Sequence, residues 1–187
     1  MCKVIAICKS EKKGTAKQMI PEANLIEDFG MEGDAHAGKW HRQVSLLGLE
    51  KIDEFNAKGG GVNFGDFGEN LVISGVELTK LPIGQRFKIG EAELELTQIG
   101  KQCHDKCEIF YRVGQCIMPT NGVFTRVLKG GKVKVGDEAQ KTIDEAMKTS
   151  DAFIFIHTNL ASESVWVQKE LRYALLRNVP ILWVRID

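Results

Sequence analysis

The residues most suited to chemistry fall in two stretches of this chain. The first is Gly30-Met31-Glu32-Gly33-Asp34-Ala35-His36-Ala37-Gly38, followed by His41-Arg42-Gln43-Val44-Ser45-Leu46-Leu47. Three glycines let the backbone turn tightly and present N–H groups, while Asp34, His36, His41 and Arg42 supply side chains for binding. Arg42 is the candidate for holding a phosphate or another anion, because a guanidinium binds such groups bidentately. A surface ion pair is its plain alternative. The second stretch holds Cys103, Cys107 and Cys116, with Lys101 and His104 beside the first cysteine. A thiolate is a soft metal ligand and is also the form that carries a persulfide; Lys101 and His104 would lower the Cys103 pKa. A half-buried, inert thiol is the competing reading. Cys103 and Cys107 also have the spacing of a zinc-binding pair, with Cys116 or a histidine to add, although strong zinc signatures carry two such pairs.

A third motif, Phe67-Gly68-Glu69-Asn70-Leu71-Val72-Ile73-Ser74-Gly75, is a turn feeding a strand with a carboxylate and an amide at its mouth. A fourth runs from Leu81-Pro82-Ile83-Gly84 through Ile89-Gly90-Glu91-Ala92 to Thr97-Gln98-Ile99-Gly100 and on to Cys103, two strands and a turn that deliver a cysteine at a strand end.

Short strands must position these groups. Val4–Cys8, Ala23–Glu27, Gln43–Leu47, Asn70–Ile73, Arg86–Ile89 and Ala92–Gln98 read as strands, the last alternating Leu94 and Leu96 against Glu93 and Glu95. Leu49, Ile52 and Phe55 have helical spacing over Leu49–Lys58, ended by Gly59-Gly60-Gly61. Gly130–Asp137 reads as a closing hairpin or final strand. This rhythm predicts a mainly β fold, a barrel or sandwich with few helices. After residue 138 the pattern changes to helix, strand, helix and strand: Glu138–Thr149, Ala152–Ile156, Ser162–Arg177 and Ile181–Ile186, a βαβ unit with a parallel pair. Two domains are expected, 1–138 and 139–187.

Composition narrows the function. Of 187 residues, 43% are hydrophobic, and 25 basic residues balance 25 acidic ones, so no overall field favours nucleic acid or an anionic membrane. No apolar stretch approaches the roughly 18–20 residues that span a bilayer. The start of the chain has a short apolar run before its lysines, opposite to a secretory signal. Five unevenly spaced cysteines make a poor disulfide framework. A cytoplasmic protein is expected, with Cys2 and Cys8 as packing residues.

In the order GxxGDxHxG, RQVSLL, GENLxxxG and LPIGxxxxIGxAxLxxTQxGxxC, residues 1–138 resemble a small bacterial MOSC domain, the module found at the C-terminus of molybdenum-cofactor sulfurases. The resemblance implies a β-barrel core and a role in binding molybdenum cofactor or carrying its sulfur. Cys103 matches the cysteine that ligates molybdenum in the amidoxime-reducing relatives, so it is expected as metal ligand or persulfide carrier. Asp34, His36, Arg42, Glu69, Asn70, Lys101 and His104 are expected around the cofactor. The expected partners are the pterin cofactor or a sulfur donor or acceptor protein. A non-catalytic scaffold for a pterin or a partner protein is the alternative. The segment 142–187, with Ser164-Val165-Trp166-Val167-Gln168-Lys169-Glu170-Leu171, resembles the middle of a TIR domain, whose glutamate cleaves NAD in some members. Glu170 matches it, but the opening strand and loop of that family are missing. Association, including self-association through this segment, is therefore expected ahead of NAD hydrolysis.

Overall fold

The computed structural model describes residues 2–102, 108–142, 152–157, 171, 174–175 and 180–185. The chain divides into two compact units, Met1–Thr142 and Ile143–Asp187.

In the first unit the strands are β1 (Lys3–Lys9), β2 (Gln18–Ile20), β3 (Glu22–Ile26), β4 (Gly30–Met31) and β5 (Val44–Gly48). Helix α1 (Leu49–Ala57) leads to β6 (Leu71–Ser74), and a 3-10 turn (Leu78–Lys80) to β7 (Arg86–Ile89) and β8 (Ala92–Ile99). Helices α2 (Glu108–Val113) and α3 (Met118–Asn121) precede β9 (Val123–Lys129), β10 (Gly131–Lys134) and β11 (Ala139–Thr142). The principal sheet has the order β11-β7-β8-β9-β5-β6-β1-β2, and a smaller one the order β10-β3-β4.

All neighbours in the large sheet are antiparallel except β5 and β6. A parallel neighbour requires a crossover, and α1 supplies it. β5 is buried along its whole length, as expected of a strand covered on both faces. α1 buries Ile52 and Phe55, three residues apart and so on one face. They pack with Ala6, Cys8, Leu47, Val72 and Met118 in one apolar cluster. Phe55 meets Phe67 edge-on, with ring centroids 5.2 Å apart.

The expected barrel is only partly realised. The two ends of the large sheet meet at one bridge, Lys3 with Glu138, flanked by the Ala139 N–H to the Cys2 carbonyl and the Val4 N–H to the Asp137 carbonyl. These contacts do not extend into a ladder, so the sheet is strongly curled without being closed. β2 beyond β1, and the separate three-stranded sheet, take up backbone that full closure would use.

The other differences are local. Residues 139–142 form β11 rather than the start of a helix, because this stretch pairs with the otherwise open side of β7. β9 was not marked as a strand by its sequence, yet it is the central partner of both β5 and β8.

In the second unit, β12 (Phe153–His157) and β13 (Ile181–Arg185) form the expected parallel pair. Phe155 and Ala174 are buried, and Phe155 meets Trp183 edge-on at 4.6 Å. Ile154, Leu182 and Trp183 stay about 60% exposed, at 60%, 58% and 60%. The run Ala152–Ile156 was expected to be a strand buried on both faces; Phe155 is buried but its neighbour Ile154 is not. Trp166 and Glu170 lie outside the described residues.

Candidate functional site

Residues 30–43 form a loop closed upon itself. The Gly38 N–H donates to the Phe29 carbonyl, the Ala37 N–H to the Asp34 carbonyl, and the Trp40 indole N–H to the His36 carbonyl at 3.0 Å. Gly30 has φ +116° and lies so near Gln43 that a Cβ would stand 2.6 Å from its carbonyl oxygen. Only glycine allows both the conformation and the approach.

Asp34 is the hub of this loop. Its Oδ1 accepts the His36 N–H at 3.0 Å, and its Oδ2 accepts the Ser10 N–H at 3.2 Å and the Lys17 ammonium at 2.6 Å. Both members of the Lys17–Asp34 pair are fully buried. Burial alone would raise the Asp34 pKa, but the hydrogen bonds from His36 and Lys17 outweigh it and hold the carboxyl well below the usual range. Burial pushes the Lys17 pKa down, opposed by its bond to Asp34 and the nearby Glu69 charge.

Glu69 sits on the other side of Lys17 in chain terms, since the Lys17 N–H donates to the Gly65 carbonyl and the Gly65 N–H to Glu69 Oε1 at 2.7 Å. Glu69 is completely buried, and its Oε2 has no hydrogen-bond partner among the described residues. Desolvation raises its pKa to about 7, despite the Gly65 N–H. Asn70 is committed to the framework: its amide donates to the Cys8 carbonyl, and its Oδ1 accepts the Ser45 N–H and hydroxyl. Cys8 is wholly buried, and desolvation followed by the Glu69 charge pushes its thiol up to about 12. It is an inert thiol, as its sequence setting implied.

Arg42 lies at the loop's end, its guanidinium carbon 4.7 Å from the Trp40 ring centroid and 5.6 Å from that of Phe124. These rings engage its faces, and its buried Nε has no hydrogen-bond partner among the described residues. The neighbouring His41 Nε2 is 2.8 Å from Gln98 Oε1, and the Thr97 hydroxyl donates to the His41 carbonyl. The loop is thus stitched to the last residues of β8. Gly100 follows with φ +70°, where a Cβ would collide with the Pro119 carbonyl, and Lys101 is half-buried.

Cys103, His104 and Cys107 lie outside the described residues, so their ligand and zinc readings rest on sequence. Cys116 is half-buried against the apolar cluster, Cys8 is buried, and the Cys2 thiol donates to the Gly75 carbonyl. Among the described residues no three His, Cys, Asp or Glu side chains gather as a metal site. A cleft of about 290 Å³ lies elsewhere, along α1 and residues 75–79, but its Glu54 and Glu77 are paired with Lys51 and Lys80. No described helix is long and apolar enough to cross a membrane.

A family model described as the MOSC domain matches residues 33–140, more than half of the 187. The chain belongs to the MOSC family. The match begins within the glycine loop and runs through the strand leading to Cys103, in a family linked to molybdenum-cofactor functions. Solved structures share the MOSC fold. The YuaD protein of Bacillus subtilis is 22% identical with a TM-score of 0.60, over 73% of this chain and 93% of that one. YiiM of Escherichia coli is 17% identical with a TM-score of 0.54, over 95% and 94% of the respective chains. YiiM of Geobacillus stearothermophilus is 15% identical with a TM-score of 0.60, over 94% and 100%. No curated protein matches the chain.

Lys17 belongs to this network without any mark in the sequence. It sits in a lysine-rich run that reads as solvated charge, and only its burial opposite Asp34, 17 residues on, distinguishes it from its neighbours.

Proposed function

We propose that this MOSC protein binds molybdenum cofactor or carries its sulfur in a reducing cytoplasm, with Cys103 as molybdenum ligand or persulfide carrier. The observation that supports this most is the stitching of the Arg42 loop to the end of β8, the strand that leads to Cys103. The Arg42 Nε has no partner among the described residues and its guanidinium lies against two rings, which suits the phosphate of a pterin. A bound molybdenum centre would supply oxygen- or sulfur-transfer chemistry. The chain's own work would be to hold the phosphate through Arg42 and the soft centre through Cys103, with Lys101 and His104 favouring the thiolate. Asp34, Glu69 and Asn70 would brace the loop and strand from inside, and His36 would face the bound group. A sulfur donor or acceptor protein is the implied partner, and the second unit, with its open apolar face, is a candidate for self-association.

Cys103→Ser is expected to abolish molybdenum and persulfide content in anaerobically purified protein, whereas Cys107→Ser and Cys116→Ser reduce it less. Serine keeps the size but is a poor soft-metal ligand and cannot carry sulfane sulfur. Thermal melts serve as the folding control. Equal loss in all three variants with zinc co-purifying would replace the mechanism with a zinc site. No loss in any would leave a binding scaffold.

A further inference from the structure

Two histidines of the glycine loop are held in opposite ways, and the difference assigns one of them a role. Gln98 donates its amide to the Gly100 carbonyl at 2.6 Å, so its Oε1 is the atom facing His41 Nε2 at 2.8 Å. An oxygen cannot donate, so neutral His41 must carry its proton on Nε2. That nitrogen is spent on the framework.

His36 is arranged the other way round. Its Nδ1 is buried with no hydrogen-bond partner among the described residues and lies 3.6 Å from Asp34 Oδ1, while the side chain as a whole is 38% exposed. With Nδ1 buried, the exposed area belongs to the rest of the side chain, where Nε2 is the nitrogen left to meet a ligand. A separation of 3.6 Å is too long for a full hydrogen bond, but it fixes which nitrogen bears the proton. A lone pair on Nδ1 would face an ionised carboxylate in a buried setting and be repelled; an N–H there is attracted. Lys17 sustains this arrangement because its ammonium, 2.6 Å from Oδ2, keeps Asp34 ionised and fixes the carboxylate.

We infer that Lys17, Asp34 and His36 form an orienting array that leaves His36 Nε2 as the acid–base atom of the loop, with Lys17 as a positioning residue. The ligand class is a group bearing a proton on sulfur or oxygen, such as a thiol, a persulfide or a metal-bound hydroxyl. Neutral His36 takes that proton on Nε2 and becomes imidazolium, its Nδ1–H facing Asp34; the proton returns by the same atom. No electrons change hands. Other titratable groups near the array are Lys9, whose ammonium lies beside Gly33, and Glu69 and Cys8, both near enough to act on Lys17. This role rests on the proposed binding function, but the arrangement itself can be measured in protein without ligand.

The test is ¹⁵N NMR of the imidazole nitrogens in the full chain above neutral pH, with His36→Gln and His41→Gln assigning the signals. The expected result is the Nδ1–H tautomer for His36 and the Nε2–H tautomer for His41. Free imidazole side chains favour Nε2–H, so that tautomer at His36 would overturn the array. In a folded Lys17→Met protein the His36 preference should fall toward the free-histidine ratio; a preference unchanged from wild type removes Lys17 from the array. Should Lys17→Met not fold, Lys17→Gln provides the same comparison, and the wild-type tautomers alone decide the role of His36. A confirmed tautomer pattern in a protein that takes up neither molybdenum nor sulfur would refute the binding function and leave the array standing.

Discussion

Two buried regions flank β1 and β6 and are built on opposite principles. Under α1, Ile52, Phe55, Phe67, Val72 and Met118 hold together through non-directional contact. Under the glycine loop, Ser10, Lys17, Asp34, Gln43, Ser45, Glu69 and Asn70 are equally buried, and each has a polar group to satisfy. Apolar area stabilises in any arrangement that excludes water. A buried polar layer stabilises only when its partners are in register, and every missing partner costs free energy. Four buried polar atoms of this part of the chain, Ser10 Oγ, His36 Nδ1, Arg42 Nε and Glu69 Oε2, have no hydrogen-bond partner among the described residues. The α1 side thus serves the fold, while the loop side keeps polar groups at the expense of stability.

The sharpest contrast comes from removing one partner on each side. Asp34→Ala strands the buried Lys17 ammonium and should destabilise by about 3–5 kcal/mol near neutral pH. Phe55→Ala should cost about 3–5 kcal/mol through lost burial and a cavity. Their pH dependence separates them. The Asp34 pKa is depressed in the fold, so its contribution is present above the ordinary carboxylate value and is lost as pH falls through the depressed one. The deficit of Asp34→Ala should therefore shrink in strong acid, while that of Phe55→Ala should not follow this titration. Urea denaturation at neutral and strongly acid pH checks both.

Glu69 should show a smaller effect of opposite sign. Its pKa rises from 4.5 to about 7, so the fold is favoured while the carboxyl is protonated. That advantage is complete below about pH 4.5 and is lost as pH rises through about 7, a change of about 3 kcal/mol. Glu69→Gln keeps an oxygen for the Gly65 N–H and cannot ionise. It should remove this slope and be more stable than wild type above pH 7. A wild-type stability curve that is flat between pH 4.5 and 7 would show that Glu69 does not titrate there.

Much of this organisation was legible from sequence because it is local. Leu49, Ile52 and Phe55 announce α1 by spacing, Leu94 and Leu96 announce β8 by alternation, and the glycines at 30, 33 and 38 mark the loop. Asp34, His36 and Arg42 were singled out by the resemblance to the MOSC family, since on spacing alone a generic glycine-rich turn reads the same. What escaped was pairing between distant segments. Lys17 looks like any lysine until Asp34 is folded over it, and β9 does not alternate because Val123, Phe124 and Thr125 are buried in succession, on both faces of the strand. Glu69 and Asn70 were read as groups at a mouth. The structure puts them in the interior, since a turn residue preceding a buried strand is drawn in with it.

The smallest expected effect tests whether polarity or burial makes the loop side costly. Asn56 belongs to the apolar side, at the end of α1, where its amide clasps Val62: Nδ2 donates to the carbonyl at 3.0 Å, and Oδ1 accepts the N–H at 2.8 Å. This clasp holds the glycine turn 59–61 against Phe55, where Gly60 passes so close that a Cβ would strike the ring. The bonds are only partly buried, so water can replace them when the side chain is removed. Asn56→Ala should therefore cost about 1 kcal/mol despite deleting two hydrogen bonds, with no dependence on pH because no charge is involved. A loss near that of Asp34→Ala would mean that hydrogen-bond number, rather than burial of charge, sets the cost, and the contrast between the two regions would collapse. A loss near 1 kcal/mol keeps it, and ties the cost of the loop side to the stranded charge of Lys17.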